Sequence, residues 1–364
     1  MPSFRRLMPV LLLLAACASG SPAIDTAPTG APAAADTAAV DRLLRDYTVD
    51  VPGAAVLVLR DGAPVVRKGY GLADVAAATP VTPATNFRLA SVSKQFTAAS
   101  ILLLVEDGRL RLDDPVRRWL PSLPPAADAV TIHHLLAHTS GLIDYEDVLP
   151  PGLDRQLSDA DVLAILEGQD RLYFPPGSAY RYSNSAYALL TRIVVAATGQ
   201  DYAGFLRERI FQPLGMTGTV AFEEGVSTVA HRAYGHSDID GRWVRSDQSP
   251  TSAVLGDGGI YSSIDDLAKW DAALYDDRLL SDASRALAFA AQTGAAAIDE
   301  DDVDAYGYGW RLHGARQWHS GETIGFRNVI VRDPARRTTV IVLSNRNDPP
   351  PYPLALRILD ATAP

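Results

Sequence analysis

A serine and a lysine three residues apart, Ser91 and Lys94, have the residue types and spacing for nucleophilic chemistry. They open the apolar run of residues 91–106, which predicts a buried helix, and residues i and i+3 of a helix share one face. A serine hydroxyl is a weak nucleophile until a neighbouring base accepts its proton. A lysine is such a base once burial or nearby cations lower its pKa. The alternative is that Ser91 only caps the helix, as serine often does.

A second short pattern, Tyr182-Ser183-Asn184, lies on a predicted loop after a Pro- and Gly-rich stretch. Two residues apart on a loop, Tyr182 and Asn184 are able to point toward one cavity. Tyr182 would carry protons if a nearby lysine lowered its pKa. Asn184 offers a donor and an acceptor for a substrate amide. Taken alone, the triplet is ordinary, and a core tyrosine is more common than a catalytic one.

A third pattern, His319-Ser320-Gly321, falls on a predicted C-terminal strand. His319 would be a cation at mildly acid pH or a neutral hydrogen-bond partner at neutral pH. Gly321 would let the backbone approach a ligand closely, which glycine in a strand often indicates. This tripeptide has no diagnostic value by itself.

The elements that must position these residues have strand character at both ends of the chain and helical character between. Near the N-terminus, predicted strands at residues 51–60 and 65–70 flank Asp61-Gly62, a dipeptide typical of hairpin turns. The C-terminal strands and the final helix are predicted at residues 308–312, 317–320, 326–332, 338–343 and 354–359. We therefore predict an α/β fold of the α+β type. An antiparallel sheet built from both chain termini is flanked by helices, and a mostly helical lobe, roughly residues 113–287, is inserted.

Composition and charge exclude several classes of function. The 364 residues carry a formal net charge of -10, which argues against nucleic-acid binding because that binding depends on clustered Lys and Arg. One cysteine excludes a disulfide framework and a Cys-based zinc site. His134 and His138 have a zinc-compatible spacing but lack the glutamate of the metalloprotease pattern, so packing is favoured. An acidic cluster, residues 299–304, is interpreted as a solvated loop, and no metal or cofactor is expected.

The N-terminus has the pattern of an export signal. Arg5 and Arg6 precede a short apolar run that ends at Cys17, and this run is too short to span a bilayer. The sequence Leu-Ala-Ala-Cys resembles the lipobox of bacterial lipoproteins, in which the cysteine is acylated after cleavage. The resemblance implies a signal peptide at residues 1–16 and a membrane anchor on Cys17, which would hold the protein in the cell envelope on the periplasmic side of the outer membrane. The alternative is a plain signal peptide.

The segment after Cys17 is rich in Ala, Pro, Gly, Ser and Thr, which predicts a flexible tether over residues 17–39. One folded domain is then expected over residues 40–364.

The three patterns together, in this order on helix, loop and strand, resemble the penicillin-recognising serine hydrolases. Further similarity places the chain near class C β-lactamases, DD-peptidases, D-aminopeptidases and esterases, and it lies in residues 87–97, 131–142 and 258–262. The resemblance spans about residues 40–345 and implies the β-lactamase/transpeptidase-like fold.

The resemblance also implies roles for individual residues. Ser91 would be the acylated nucleophile, and Lys94 and Tyr182 would share the proton transfers. Asn184 would bind the substrate amide. The oxyanion hole would be formed by the backbone N–H of Ser91 and that of Glu322, the residue after Gly321. Tyr145 is also expected to reach the cleft.

His319 departs from class C β-lactamases, which have lysine at this position. The departure favours an acyl-enzyme hydrolase of D-aminoacyl peptides, amides or esters. A β-lactamase is the first alternative, and an inactive module that binds cell-wall peptide is the second. The expected partners are a small-molecule or peptide substrate and the membrane; the oligomeric state stays open.

Overall fold

The computed structural model describes residues 34–293 and 298–363. The predicted signal peptide (residues 1–16), Cys17 and the first part of the predicted tether lie outside these residues. The last part of that tether is helical, because the first helix begins at Ala34. Helical structure is therefore present before the predicted domain boundary at residue 40.

Strands lie near both ends of the described chain, and most helices lie between them. The strands are β1 (Ala54–Arg60), β2 (Ala63–Tyr70), β3 (Leu72–Asp74), β4 (Thr79–Pro80), β5 (Phe87–Arg88), β6 (Val220–Ala221), β7 (His236–Ile239), β8 (Arg242–Arg245), β9 (Ile260–Ser262), β10 (Ala305–Tyr306), β11 (Arg311–His313), β12 (Arg316–Thr323), β13 (Phe326–Asp333) and β14 (Thr338–Ser344). The helices are α1 (Ala34–Leu43), α2 (Lys94–Glu106), α3 (Val116–Trp119), α4 (Ile132–Leu136), α5 (Asp159–Glu167), α6 (Asn184–Thr198), α7 (Tyr202–Leu206), α8 (Ile264–Ala273), α9 (Asp282–Ala288) and α10 (Pro351–Ala361). No helix among them is long and apolar enough to cross a membrane.

The main sheet confirms the predicted fold class. Its seven strands run in the order β10-β11-β12-β13-β14-β1-β2, and every neighbouring pair is antiparallel. The N-terminal hairpin thus pairs with the last strand, and both chain termini contribute to one sheet. The region between β5 and β10 holds α2 to α9 together with the short strands β6 to β9.

Helices cover both faces of this sheet. In β1, Leu57 and Leu59 face a core that includes α2, whereas Val56 and Val58 face a second core that includes α1 and α10. A strand buried on both faces has a continuous apolar sequence, which is why this run lacks a polar alternation.

One strand prediction is wrong in its boundaries. Only Arg311 and Leu312 of the predicted strand at residues 308–312 lie in a strand, β11, because the chain turns at Gly309, which has φ +78°. A Cβ on Gly309 would lie 2.8 Å from the carbonyl oxygen of Lys94. The chain therefore turns where it packs against the first residues of α2, and this contact overrides the local strand propensity.

Candidate active site

The nucleophile position lies on a tight turn before α2. Residues Ala90–Ser93 form a 3₁₀ turn, and Ala90 has φ +50°, a conformation that costs a non-glycine residue energy. Ser91 is partly exposed, whereas Ser93 is fully buried and accepts a hydrogen bond from the Ile260 N–H at 3.3 Å. The turn therefore leaves Ser91 partly exposed and buries Ser93 inside the fold.

Lys94 contacts residues of the first two sequence patterns, Ser91 and Asn184. Its side chain is buried, and Nζ donates to Ser91 Oγ at 3.1 Å, to Asn184 Oδ1 at 2.8 Å and to the Asp257 carbonyl oxygen at 3.0 Å. An ammonium has three donors, so this geometry gives each of them an acceptor. The sequence analysis missed the third acceptor. Every residue has a main-chain carbonyl, so the residue type does not indicate which carbonyl will accept the lysine.

Tyr182 lies beside the lysine. Lys94 Nζ is 4.8 Å from the centre of its ring, and the His138 ring lies 4.4 Å away on a tilted packing contact. The buried Tyr182 hydroxyl has no hydrogen-bond partner among the described residues. A buried polar atom without a partner is uncommon in folded proteins and is expected where a ligand or reactant completes the site.

The two histidines considered for zinc each use Nδ1 in a hydrogen bond within the fold, and His138 Nε2 has no partner among the described residues. His138 Nδ1 accepts the Ser183 N–H at 3.0 Å, and His134 Nδ1 accepts the Thr131 N–H at 3.2 Å in a capping box. Burial, reinforced by the charges of Lys94 and Arg311, holds the pKa of His138 well below its usual value. Over the described ranges, no group of three or more His, Cys, Asp or Glu side chains has a metal-binding arrangement.

His319 is fully buried on β12, and its surroundings favour the neutral imidazole. Nδ1 lies 2.6 Å from the Ser320 carbonyl oxygen, which only accepts, so this nitrogen carries the proton. The Tyr306 hydroxyl then donates to Nε2 at 2.9 Å. Burial, followed by the charges of Arg311 and Lys94, lowers the pKa of His319 well below its usual value. Of the two states that the sequence left open, the structure supports the neutral one.

Arg311 brings a positive charge next to His319, and the sequence analysis missed it. The Arg311 NH1 atom is 3.3 Å from His319 Nδ1, because β11 pairs with β12. Its Nε donates to Glu300 at 3.0 Å, and Glu300 also accepts the Tyr180 hydroxyl at 2.9 Å. Glu300 belongs to the acidic cluster that was interpreted as a solvated loop, so that interpretation is wrong for this residue. Arg311 lies near His319 only because β11 pairs with β12, and no local sequence pattern indicates this proximity.

The third pattern approaches the nucleophile turn through Gly321. A Cβ at this position would lie 1.9 Å from the Leu89 carbonyl oxygen, so only glycine permits the observed packing. Glu322, next along β12, is exposed and forms an ion pair with Arg327 at 3.3 Å. The structure thus brings Ser91, Lys94, Tyr182, Asn184, His319 and Gly321 to one cleft.

Tyr145 lies beneath this cleft rather than on its surface. It is fully buried, and its hydroxyl is 3.0 Å from Asp257 Oδ2. Asp257 supplies the carbonyl that accepts Lys94, so Tyr145 reaches the site through that residue.

Known proteins with similar sequences and folds indicate the family of this chain. The family model described as "Beta-lactamase" matches residues 40–363. Penicillin-binding protein 4* of Bacillus subtilis (strain 168) is 33% identical over 323 residues, which are 83% of this chain and 70% of that protein. D-aminopeptidase of Gluconobacter oxydans (strain 621H) is 30% identical over 81% of this chain, and the match spans only 56% of that relative's length. The solved structure of D-amino acid amidase from Ochrobactrum anthropi SV3, in complex with L-phenylalanine amide, superposes with a TM-score of 0.76. That match has 26% identity and covers 90% of this chain and 98% of the amidase.

Proposed function

The chain belongs to the Beta-lactamase family, and we propose that this serine hydrolase cleaves D-aminoacyl peptides, amides or esters through a covalent acyl-enzyme on Ser91. The observation that carries the proposal is the contact of Lys94 Nζ with Ser91 Oγ at 3.1 Å. Nucleophile and base must lie within hydrogen-bond reach for this chemistry.

The three contacts of Lys94 Nζ are also compatible with a neutral amine, which has two N–H donors and one lone pair. Two N–H groups would serve the Asn184 and Asp257 oxygens, which only accept, and the nitrogen lone pair would then face the Ser91 hydroxyl. As Oγ bonds to the substrate carbonyl carbon, the hydroxyl proton moves to Nζ. The oxyanion would be held by the N–H groups of Ser91 and Glu322. One such donor typically lowers the barrier by about 2.7–4 kcal/mol.

Tyr182 would share the proton transfers with Lys94. Its unpartnered hydroxyl lies in the cleft beside the lysine, where it would give a proton to the departing amine or alcohol. Water then attacks the acyl carbon, gives one proton back to this pair and releases the acid, which regenerates the Ser91 hydroxyl.

The substrate class rests on His319 and on the relatives. A neutral imidazole offers no fixed charge to a substrate carboxylate, and Glu300 already pairs with Arg311 beside it. This arrangement favours substrates without an obligatory carboxylate, such as amides and esters. The D-aminopeptidase and the D-amino acid amidase, which are similar to this chain, support the same class.

The test is intact-mass analysis of the protein incubated with benzylpenicillin and with a fluorophosphonate, followed by turnover of D-aminoacyl amides and esters. We expect fluorophosphonate labelling and D-selective turnover, both absent in Ser91→Ala and present in Ser93→Ala. Rapid consumption of benzylpenicillin without a lasting adduct and without amide or ester turnover would instead identify a β-lactamase. Absence of labelling and of turnover in the unaltered protein would support the peptide-binding alternative.

We further propose that the protein is attached to the cell envelope through acylated Cys17, which lies outside the described residues. The lipobox-like sequence before Cys17 supports this. Mass analysis of the N-terminal peptide from membranes should show acyl chains, and Cys17→Ser should release the protein to the soluble fraction. An unmodified N-terminal peptide from the native protein would contradict the attachment.

A further inference from the structure

The carbonyl group that accepts Lys94 belongs to a buried and firmly held loop. Asp159 accepts the N–H groups of the two residues that precede Asp257, at 2.9 and 3.0 Å. Thr97 Oγ1 donates to the carbonyl immediately before Asp257 at 2.8 Å. The Asp257 carbonyl therefore reaches Lys94 Nζ from a main chain with little freedom to move.

The side chain of Asp257 is unusual for a carboxyl group. It is 7% exposed and lies 3.0 Å from the Tyr145 hydroxyl. Within residues 34–293 and 298–363, no basic side chain forms an ion pair with it. Burial raises the pKa of Asp257 well above its usual value, and the positive charge of Lys94 opposes that effect. A buried carboxyl with one neutral partner is readily protonated.

Several other charged or titratable groups face Asp257 from the elements around it. They are Lys94 on α2, Arg88 on β5, Asp159 on α5, and Tyr145 and Glu146 on the 3₁₀ turn Tyr145–Val148. Among these groups, Lys94 touches Asp257 directly through the main chain, and Tyr145 touches its carboxyl.

We propose that Asp257, held by Tyr145, is a positioning residue that controls when Lys94 can accept the Ser91 proton. An ionised Asp257 stabilises the Lys94 ammonium, which is unable to act as a base. A protonated Asp257 removes that stabilisation and favours the amine. The pair therefore holds one proton in either of two arrangements, ammonium with carboxylate or amine with carboxylic acid. This inference rests on the proposed function, in which Lys94 activates Ser91.

The test measures the rate of Ser91 labelling by a fluorophosphonate as a function of pH. In this reaction a bond forms between Oγ and phosphorus, fluoride leaves, and the hydroxyl proton passes to Lys94. Asp257→Asn keeps the size of the side chain and an acceptor for Tyr145 but removes the charge. The acid limb of the profile is the range in which the labelling rate falls as the pH falls. In Asp257→Asn we expect this limb to lie about one pH unit lower than in the unaltered protein. At a pH below the limb, the variant should then be labelled roughly tenfold faster.

Asp159→Asn is the matched control, since it makes the same chemical change in a carboxyl that holds the same loop. We expect it to lower the labelling rate at the plateau and to move the acid limb by less than Asp257→Asn does, because Asp159 faces Asp257 but does not touch it. Tyr145→Phe removes the donor that stabilises the Asp257 carboxylate, so we expect a smaller shift in the same direction as Asp257→Asn. It also provides a second measurement if Asp257→Asn fails to fold.

Two outcomes would overturn the inference while leaving the proposed function intact: an unchanged acid limb in Asp257→Asn, or an equal shift in Asp159→Asn. By contrast, an unaltered protein that the fluorophosphonate does not label at Ser91 would overturn the proposed function itself. Thermal melting of every variant separates a loss of fold from a loss of rate.

Discussion

At the residue scale, the serines and the tyrosine of the site differ in their hydrogen bonds. Ser93 Oγ accepts the Ile260 N–H inside the fold, and His138 Nδ1 accepts the Ser183 N–H, whereas His138 Nε2 has no partner among the described residues. Ser91 Oγ is reached by Lys94, and the Tyr182 hydroxyl has no partner within the described chain. Since orphaned buried groups cost stability, their presence is expected where a substrate supplies the missing partner.

Removal of the Tyr182 hydroxyl should therefore harm the reaction and spare the fold. We expect Tyr182→Phe to lower kcat for D-aminoacyl amides by roughly 10²–10⁴-fold, the usual contribution of a general acid or base. Its Tm should equal or exceed that of the unaltered protein, because no hydrogen bond is lost. A steady-state assay with thermal melting checks both values. Unchanged kcat would mean that Tyr182 carries no proton.

Protonation of His319 should destabilise the protein in mild acid. Its native pKa lies well below the unfolded value of about 6.5, so the unfolded chain binds the extra proton as pH falls through that value. One such group removes about 1.4 kcal/mol of unfolding free energy per pH unit in this range. Urea titrations between pH 7 and 5 should show a shallower pH dependence for His319→Gln. An equal slope would show that His319 titrates normally in the folded protein.

At the element scale, the site depends on the approach of β12 to the nucleophile turn. Gly321 packs against the Leu89 carbonyl, and Ala90 adopts a positive φ in the same contact region. The strain at Ala90 is balanced by the surrounding packing, as expected at functional sites. A strand and a turn far apart in sequence thus define one edge of the cleft.

A side chain at Gly321 should open that edge. Because the new Cβ would meet the Leu89 carbonyl at 1.9 Å, Gly321→Ala should displace β12 from the turn. We expect at least a hundredfold loss of kcat/KM, from a displaced oxyanion donor, together with a lower Tm. Gly168→Ala is the control, since its Cβ would make only an ordinary contact of 3.5 Å. Wild-type activity in Gly321→Ala would exclude this strand from the oxyanion site.

At the scale of the whole molecule, the main sheet packs between two hydrophobic cores, one on each face. Residues from both ends of the described chain contribute to the second core. Val40 and Leu44, from α1 and the residue after it, are buried in this core with Ile358 of α10. These contacts lie on the face of the sheet opposite to α2, the helix that carries Lys94. The first helix therefore supports the sheet without touching the cleft.

Deletion of α1 should weaken the fold. A chain that begins at residue 46 lacks Val40 and Leu44, each worth about 1.5–3 kcal/mol of burial. Compared with a chain that begins at Ala34, we expect about 3–6 kcal/mol less unfolding free energy in urea titrations. Equal stability of the two chains would show that α1 contributes nothing to the second core.

The sequence by itself determined the order of the chemical patterns and the class of the fold. The spacing of Ser91 and Lys94 predicted that their side chains meet, and continuous apolar runs at both ends predicted one sheet. These inferences depend on local spacing and on periodicity, which a sequence displays directly. The antiparallel sheet and the serine hydrolase family are confirmed by the structure and its relatives.

Only the tertiary structure decided which charges surround the site. Arg311 reaches His319 through strand pairing, and Asp257 reaches Lys94 through a main-chain carbonyl. The same packing placed a turn at Gly309, where the sequence predicted a strand. Electrostatic environment depends on distance and burial in space, and residues far apart in the chain set both. For this reason the neutral state of His319 became evident only once the fold had placed its neighbours.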